Sequence, residues 1–390
     1  MEKVKRVTLL QGLILLWSTA LTPLSWAVIP APPNIEAKAY TLIDVNSQQV
    51  LASHNAEQHL DPASLTKMLS VYVVDQELRH GHIQPDDLVH ISEKAWRAEG
   101  SRMFVKVNSH VKVSELVKGI IIHSGNDATI ALAEHIAGSE TAFVSLMNDY
   151  AEKLGMQHSH FTNATGLPDP EHYTTAADLA LLATAVIQEF PSSYQLYSQK
   201  WFTYNEIKQP NRNRLLWRAA YVDGIKTGHS SSAGFCLVAS GSQNGMRLAS
   251  VVLGAESDNS RTEQSQKLLQ YGFRFFETHH LYQARSPLKE TKVWMGKSKH
   301  LALGLQQNLY ITIPHGSYPQ LKAGIVLDPI VKAPIALDQT YGSLQIKLHD
   351  TLVAERPLVA LTPIETGGMF HRFSDYIGLR LHHLFKPTKA

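Results

Sequence analysis

The chain has 390 residues, 44% of them apolar, and a formal net charge of +2. That length buries a sizeable core and suffices for two folded units, which excludes a disordered chain and a protein confined to the bilayer. So small a net charge excludes the global basic field that draws a protein onto nucleic acid.

The first 27 residues carry Lys3, Lys5 and Arg6, then an apolar stretch from Val7 to about Leu21, then Ser25 and Ala27 flanking Trp26. Basic, apolar and small residues in that order make a secretory signal cleaved after Ala27; the apolar run is short for a bilayer span. Cys236 is the single cysteine, so the exported fold relies on no internal disulfide. Its setting, "AGFCLVAS", reads as a buried strand in which the thiol is a small core group. The 20 histidines show neither HExxH nor paired ligands at zinc spacing, so no metal site is expected.

After the Pro-rich "IPAPPN", "YTLIDVNSQQVL" reads as two short strands around a polar turn. Leu65, Met68, Leu69, Tyr72 and Val73 then recur at three and four residues, the stripe of a helix packed into a core. Further helices are expected around 114–122, 128–137, 142–154 and 176–187. "KWFTYNEI", "VDGIKTG", "GFCLVASG" and "MRLASVVLGA" are strand-like and precede a helix over about 260–277. Strands at both ends with helices between predict an α+β fold, one antiparallel sheet carrying a helical cluster.

Past His280 strict alternation takes over, in Leu309, Ile311 and Ile313, in Leu321, Ala323, Ile325 and Leu327, and in Leu344, Ile346 and Leu348. This predicts a small all-β C-terminal unit. Beyond Gly367 and Gly368, Phe370, Phe373, Ile377, Leu381, Leu384 and Phe385 fall on one helical face among Arg372, Arg380 and Lys386. Such a basic amphipathic segment either docks on the β unit or lies in a membrane interface. The expected organisation is a leader over 1–27, a mixed domain over 28–279, a β-rich domain over 280–366 and an amphipathic anchor over 367–390.

The chemistry concentrates in three short stretches. In "DPASLTKM", Ser64 and Lys67 stand three apart, so on a helix the amine reaches the hydroxyl. Asp61 and Pro62 read as cap and first turn, which puts Ser64 at the positive end of the helix dipole. SxxK alone is weak: Ser109 and Lys112 repeat it within "VNSHVKV", where strand alternation points the two side chains apart. "HSGNDAT", with Ser124 and Asn126 ahead of a helix, and "VDGIKTGHS", with Lys226, Thr227 and Gly228 ending a strand, raise the odds. The order SxxK, SxN, KTG is that of penicillin-binding proteins and serine β-lactamases. Ser257, Asp258 and Asn259 spell the lactamase SDN literally, but after the KTG, and are expected to form a polar loop.

On these motifs, with "NRNRLLW", "AGFCLVAS" and "YGFRFFET", the chain closely resembles the low-molecular-mass penicillin-binding proteins that act as D-alanyl-D-alanine carboxypeptidases. The resemblance covers nearly the whole mature chain, amphipathic tail included. It implies Ser64 as nucleophile, Lys67 as its base and Ser124 as proton relay to the leaving amine. It implies Asn126 as holder of a substrate amide, and the backbone N–H groups of Ser64 and His229 as oxyanion hole. Lys226, Thr227 and Arg261 would bind the terminal carboxylate, with Gly228 in the same strand. No cofactor is implied. The implied partners are peptidoglycan stem peptides ending in D-Ala-D-Ala, β-lactam antibiotics and the outer face of the cytoplasmic membrane, touched peripherally from the periplasm, with no nucleic acid. "AWRAEGSRMF", between the first two motifs, appears shorter than in some family members and bears on the deacylation rate. A serine β-lactamase and a penicillin sensor or scaffold without turnover are the competing readings.

Overall fold

The computed structural model describes residues 29–385, so the expected leader lies outside the described residues. A hairpin of β1 (Ala39–Asp44) and β2 (Val50–His54) opens the fold. Next come helices α1 (Thr66–His80), α2 (Asn126–Ala137), α3 (Glu140–Lys153) and α4 (Ala176–Glu189). Strands β3 (Val222–Ser230), β4 (Gly234–Gln243) and β5 (Met246–Ala255) complete a five-stranded antiparallel sheet in the order β2-β1-β5-β4-β3. Helix α5 (Asp258–Phe275) closes the domain.

The sheet is sandwiched, which is why every residue of β1 is buried. On one face Met68, Leu69, Ile121, Ala131 and Leu182 join the main core; on the other Leu42, Leu237, Leu248, Leu268 and Leu269 pack under α5. Helix α1 is buried from Thr66 through Gln76, well beyond the single stripe its spacing suggests, because helices and sheet surround it. Cys236 is buried and unpaired in β4, and burial pushes its thiol up to about 11, as befits a core group.

Two boundaries and one strand's burial differ from expectation. Ser257 is the N-cap of α5, its side chain accepting from Ser260 N at 3.0 Å, so the SDN stretch is a helix start rather than a loop. Helix α5 ends at Phe275, and β6 (Phe276–Tyr282) already pairs with β7 (Leu309–Pro314), so β structure begins before residue 280. The third concerns β8 (Leu321–Leu327), β9 (Thr340–Leu348) and β10 (Thr351–Ala360), which lie side by side in a six-stranded sheet. Leu344 and Ile346 of β9 are buried, but Ile325 and its neighbour Val326 in β8 are exposed. β8 is the edge strand; its ends, Leu321 and Leu327, pack against the C-terminal core, but the stretch between them has nothing to face.

The two units meet at the buried carboxylate of Asp44. It accepts from Thr278 Oγ1 in β6 at 2.7 Å and from Ser47 N at 2.7 Å, while the hydroxyls of Ser47 and Thr312 pair at 2.6 Å. A last helix, α6 (Met369–Phe385), rests on the β unit by one side: Leu379 is buried and Asp375 Oδ2 accepts from Met295 N at 2.6 Å. Its other side presents Met369, Phe370, Phe373 and Ile377 to solvent, Phe370 at 94% exposure. Docking and an open apolar face thus coexist. The side chains of Leu381, Leu384 and Phe385, and Lys386 altogether, lie outside what is described.

Candidate active site

Ser64 sits in a 3-10 turn, Ala63–Leu65, that leads into α1, rather than in an α-helix capped at Asp61. Leu65 N donates to Pro62 O at 3.1 Å, and Asp61 Oδ1 accepts from Ala63 N at 2.7 Å. The turn runs straight into α1, which carries Lys67 three residues on, on the same face. Lys67 Nζ accordingly lies 2.9 Å from Ser64 Oγ, with a second hydrogen bond to Thr165 O at 2.5 Å. Lys67 has no exposed surface, and burial pushes its amine down to about 7, with the Asp127 carboxylate opposing only in part.

Thr165 belongs to "NATGLPD", a stretch to which the sequence reading gave no role. Asn163 Oδ1 accepts from the backbone N–H groups of Thr165, Gly166 and Leu167 at 3.2, 2.7 and 3.0 Å, folding the loop into a compact turn. Gly166 has φ +80°, and a Cβ there would stand 1.8 Å from Ala63 O. The loop therefore packs directly beneath the Ser64 turn and aims one carbonyl at Lys67. The Asn-x-x-Gly spacing signals the turn, though not the carbonyl it presents.

The continuous helix expected over 114–122 is instead a short α-helix, Val113–Lys118, widened into a π turn, Gly119–His123. The turn delivers Ser124 with φ 62°, a left-handed conformation that a serine rarely adopts. Lys226 Nζ donates to Ser124 Oγ at 2.9 Å and to Thr227 O at 2.9 Å. Lys226 is buried as well, and burial, then the charges of Lys67, Arg212 and Arg261, lower its pKa well below that of a free lysine. Asn126, first residue of α2, donates from Nδ2 to Glu99 O at 2.6 Å while its buried Oδ1 has no partner. Beside it Asp127 accepts from Met103 N and Phe104 N at 2.8 Å each, which holds the "AWRAEGSRMF" segment against the site.

Gly228 in β3 explains why the strand comes so near: a Cβ there would lie 2.7 Å from Pro62 O and 3.2 Å from Leu65 N. Asp61 ties the same two elements together, its Oδ2 accepting from Ser230 Oγ at 2.9 Å. The His229 side chain is exposed, stacks on Phe235 at 3.9 Å and sits 3.0 Å from Gly234 O, so only its backbone is left for the site. Thr227, next to Lys226 in β3, is buried.

Arg261 departs from the role implied for it. Its Nε and Nη2 both donate to Asp258 Oδ1, at 2.8 and 2.5 Å, and its Nη1 donates to Gly228 O at 2.8 Å and Cys236 O at 3.2 Å. The fork that would grip a substrate carboxylate is spent on Asp258, and the guanidinium braces the strand from behind. The SDN stretch thus supplies this brace: Asp258 bonds Arg261 and Arg214. Of the discarded pair, Lys112 bonds Asp86 at 2.7 Å from a short strand, His110–Lys112.

A serine beside one buried amine, with a second serine and buried amine across from it on a helix-flanked antiparallel sheet, defines a serine enzyme of the acyl-transfer class. The family model described as D-alanyl-D-alanine carboxypeptidase matches residues 27–257, and that of the penicillin-binding protein 5 C-terminal domain matches 276–366. The chain is 43% identical over 366 residues to D-alanyl-D-alanine carboxypeptidase DacA of Escherichia coli K12, covering 92% of this chain and 91% of that protein. It is 43% identical to DacC of the same strain over 361 residues, 90% of each chain. The crystal structure of penicillin binding protein 5 from Haemophilus influenzae superposes with a TM-score of 0.83 at 42% identity, over 86% of this chain and 99% of that one. The chain belongs to the D-alanyl-D-alanine carboxypeptidase family of low-molecular-mass penicillin-binding proteins.

Proposed function

We propose that the chain is a serine-type D-alanyl-D-alanine carboxypeptidase that removes the terminal D-alanine from peptidoglycan stem pentapeptides. Lys67, as a free amine, takes the Ser64 proton while Oγ attacks the carbonyl carbon of the penultimate D-alanine. The developing oxyanion accepts from Ser64 N–H and His229 N–H. The C–N bond then breaks, the leaving nitrogen receiving its proton through Ser124, and water hydrolyses the Ser64 ester to release the shortened stem. Asn126 Oδ1, buried and unpartnered, accepts from a substrate amide N–H. Lys226 and Thr227 bind the terminal carboxylate, and Gly228 admits the strand; Arg261 acts through the strand it braces.

The observation that carries this reading is the 2.9 Å approach of a buried amine, lowered to about 7, to the Ser64 hydroxyl. Penicillins acylate the same oxygen. No resident cofactor enters the scheme. Export to the periplasm and peripheral attachment to the outer face of the cytoplasmic membrane are part of the proposal, supported by the signal-like leader and the open apolar face of α6. Among the described residues no helix is long and apolar enough to cross a membrane. The test is mass spectrometry of products from diacetyl-Lys-D-Ala-D-Ala. One D-alanine is released by the native chain and none by Ser64→Ala; release that persists in Ser64→Ala, or a penicillin adduct mapped to another side chain, overturns the assignment.

A further inference from the structure

The C-terminus of α1, at the opposite end of that helix from Lys67, gathers three metal-ligating side chains that the reaction does not use. Glu77, His80 and His82 each offer one ligand atom, and these atoms lie within 4.8 Å of one another. The arrangement follows from how the helix ends. Gly81 is left-handed at φ +75°, its N–H bonds Leu78 O at 3.1 Å, and His82 N–H bonds Glu77 O at 3.0 Å. That paired closure folds the residue after the glycine back over the residue one turn before it. His82 Nδ1 therefore meets Glu77 Oε2 at 2.6 Å, and the His80 and His82 rings stand 5.7 Å apart.

We infer that Glu77, His80 and His82 form a surface site for a divalent transition metal, Zn2+ or a borderline ion such as Cu2+, completed by water. Two imidazoles and one carboxylate are a donor set these ions prefer over magnesium or calcium. Both histidines are exposed, so the few tenths of an ångström to ångström shifts that close the set around an ion cost no core packing. The partial negative charge of the helix C-terminus adds to the attraction. The neighbouring cation does not oppose it: Arg79 is turned to Glu189 at 3.1 Å and to Gln76 at 2.6 Å. A bound ion would bridge the last turn of α1 to the residue beyond its cap and pin the end of the helix whose start carries Lys67, about 20 Å away.

Titration of the full chain with Zn2+ against a chromogenic chelator tests the site, with D-alanine release checking that each variant is folded. The expected result is one saturable ion per chain, weakened at least about tenfold by His80→Ala, by His82→Ala and by Glu77→Gln. The control pair His90→Ala and His110→Ala, whose rings stand 5.5 Å apart across two paired strands, leaves binding unchanged. With Cu2+ as probe, electron paramagnetic resonance shows two nitrogen ligands in the native chain and one in His82→Ala. Binding that survives in the His80→Ala, His82→Ala double variant, or no saturable binding at millimolar Zn2+, overturns the inference.

Discussion

Lys67 carries its proposed role as base and a stability cost in the same atom. Its amine titrates near 7 when folded against 10.5 for a free lysine. Below about pH 7 both folded and unfolded chains bind the proton, and the cost of the buried charge is fully present; between about 7 and 10.5 the unfolded chain binds more protons, so stability rises with pH. Acylation by penicillin should fall about tenfold per pH unit below 7, as the base protonates, which stopped-flow labelling measures. Lys67→Met should lower that rate by about 10²–10⁴ and raise stability at neutral pH by about 0.5–2 kcal/mol in thermal melts. Lys226 adds a second signature. Burial and the neighbouring cations hold its amine well below that of a free lysine, so an incoming substrate carboxylate should restore its proton, and calorimetry in buffers of different ionisation enthalpy should detect proton uptake on binding. Ser64, Lys67, Ser124 and Lys226 were legible because spacing and order encode side-chain chemistry. The Thr165 carbonyl was not, since a backbone acceptor leaves no residue type to read. The Arg261 contacts were not legible either, because a guanidinium's partner, here Asp258 one helical turn earlier, shows only in the fold.

At the level of elements the site is a junction of three pieces, the Ser64 turn, the "NATGLPD" loop and β3, each fitted to the next by a small residue or a shared carboxylate. Asp61 holds the first and third with hydrogen bonds to Ala63 N, Ser230 Oγ and Ser232 Oγ. Asp61→Ala should cost about 1–3 kcal/mol and slow acylation without moving the Lys67 pH midpoint, since the base keeps its burial. Gly166→Ala forces a methyl into Ala63 O at a positive φ; a destabilisation of about 3 kcal/mol or more is expected from chemical denaturation. Strand and helix positions in this domain followed from hydrophobic period. The 3-10 turn at Ser64 and the π turn ahead of Ser124 did not, because each is a distortion imposed by packing against partners distant in sequence. The exposed edge strand β8 shows the converse: its alternation is real, but burial depends on what lies opposite, which a period cannot say.

For the whole molecule, the knot of Asp44, Ser47, Thr278 and Thr312 fixes the β unit to the catalytic domain, while α6 leaves Met369, Phe370 and Phe373 facing outward. A chain ending before Met369 should release D-alanine from soluble peptide within about twofold of the native rate, because among the described residues the tail touches no site residue, yet fail to co-sediment with vesicles of anionic lipid. Equal sedimentation of both forms would remove the tail from the attachment scheme. Two-domain architecture and the tail's amphipathic character were readable from composition and period; that one side of the tail is committed to the β unit through Asp375 and Leu379 required the fold.

Gly228 is hemmed in on two fronts, its α-carbon against Pro62 O and its carbonyl against Arg261. Any side chain there would push the strand off the Ser64 turn, and under the proposed mechanism the antibiotic and the wall peptide would lose the same backbone cradle together. Selection by β-lactams can therefore gain nothing at this position. Escape has to come from the segments that border the cleft, where a change can tell the drug apart from the peptide it imitates.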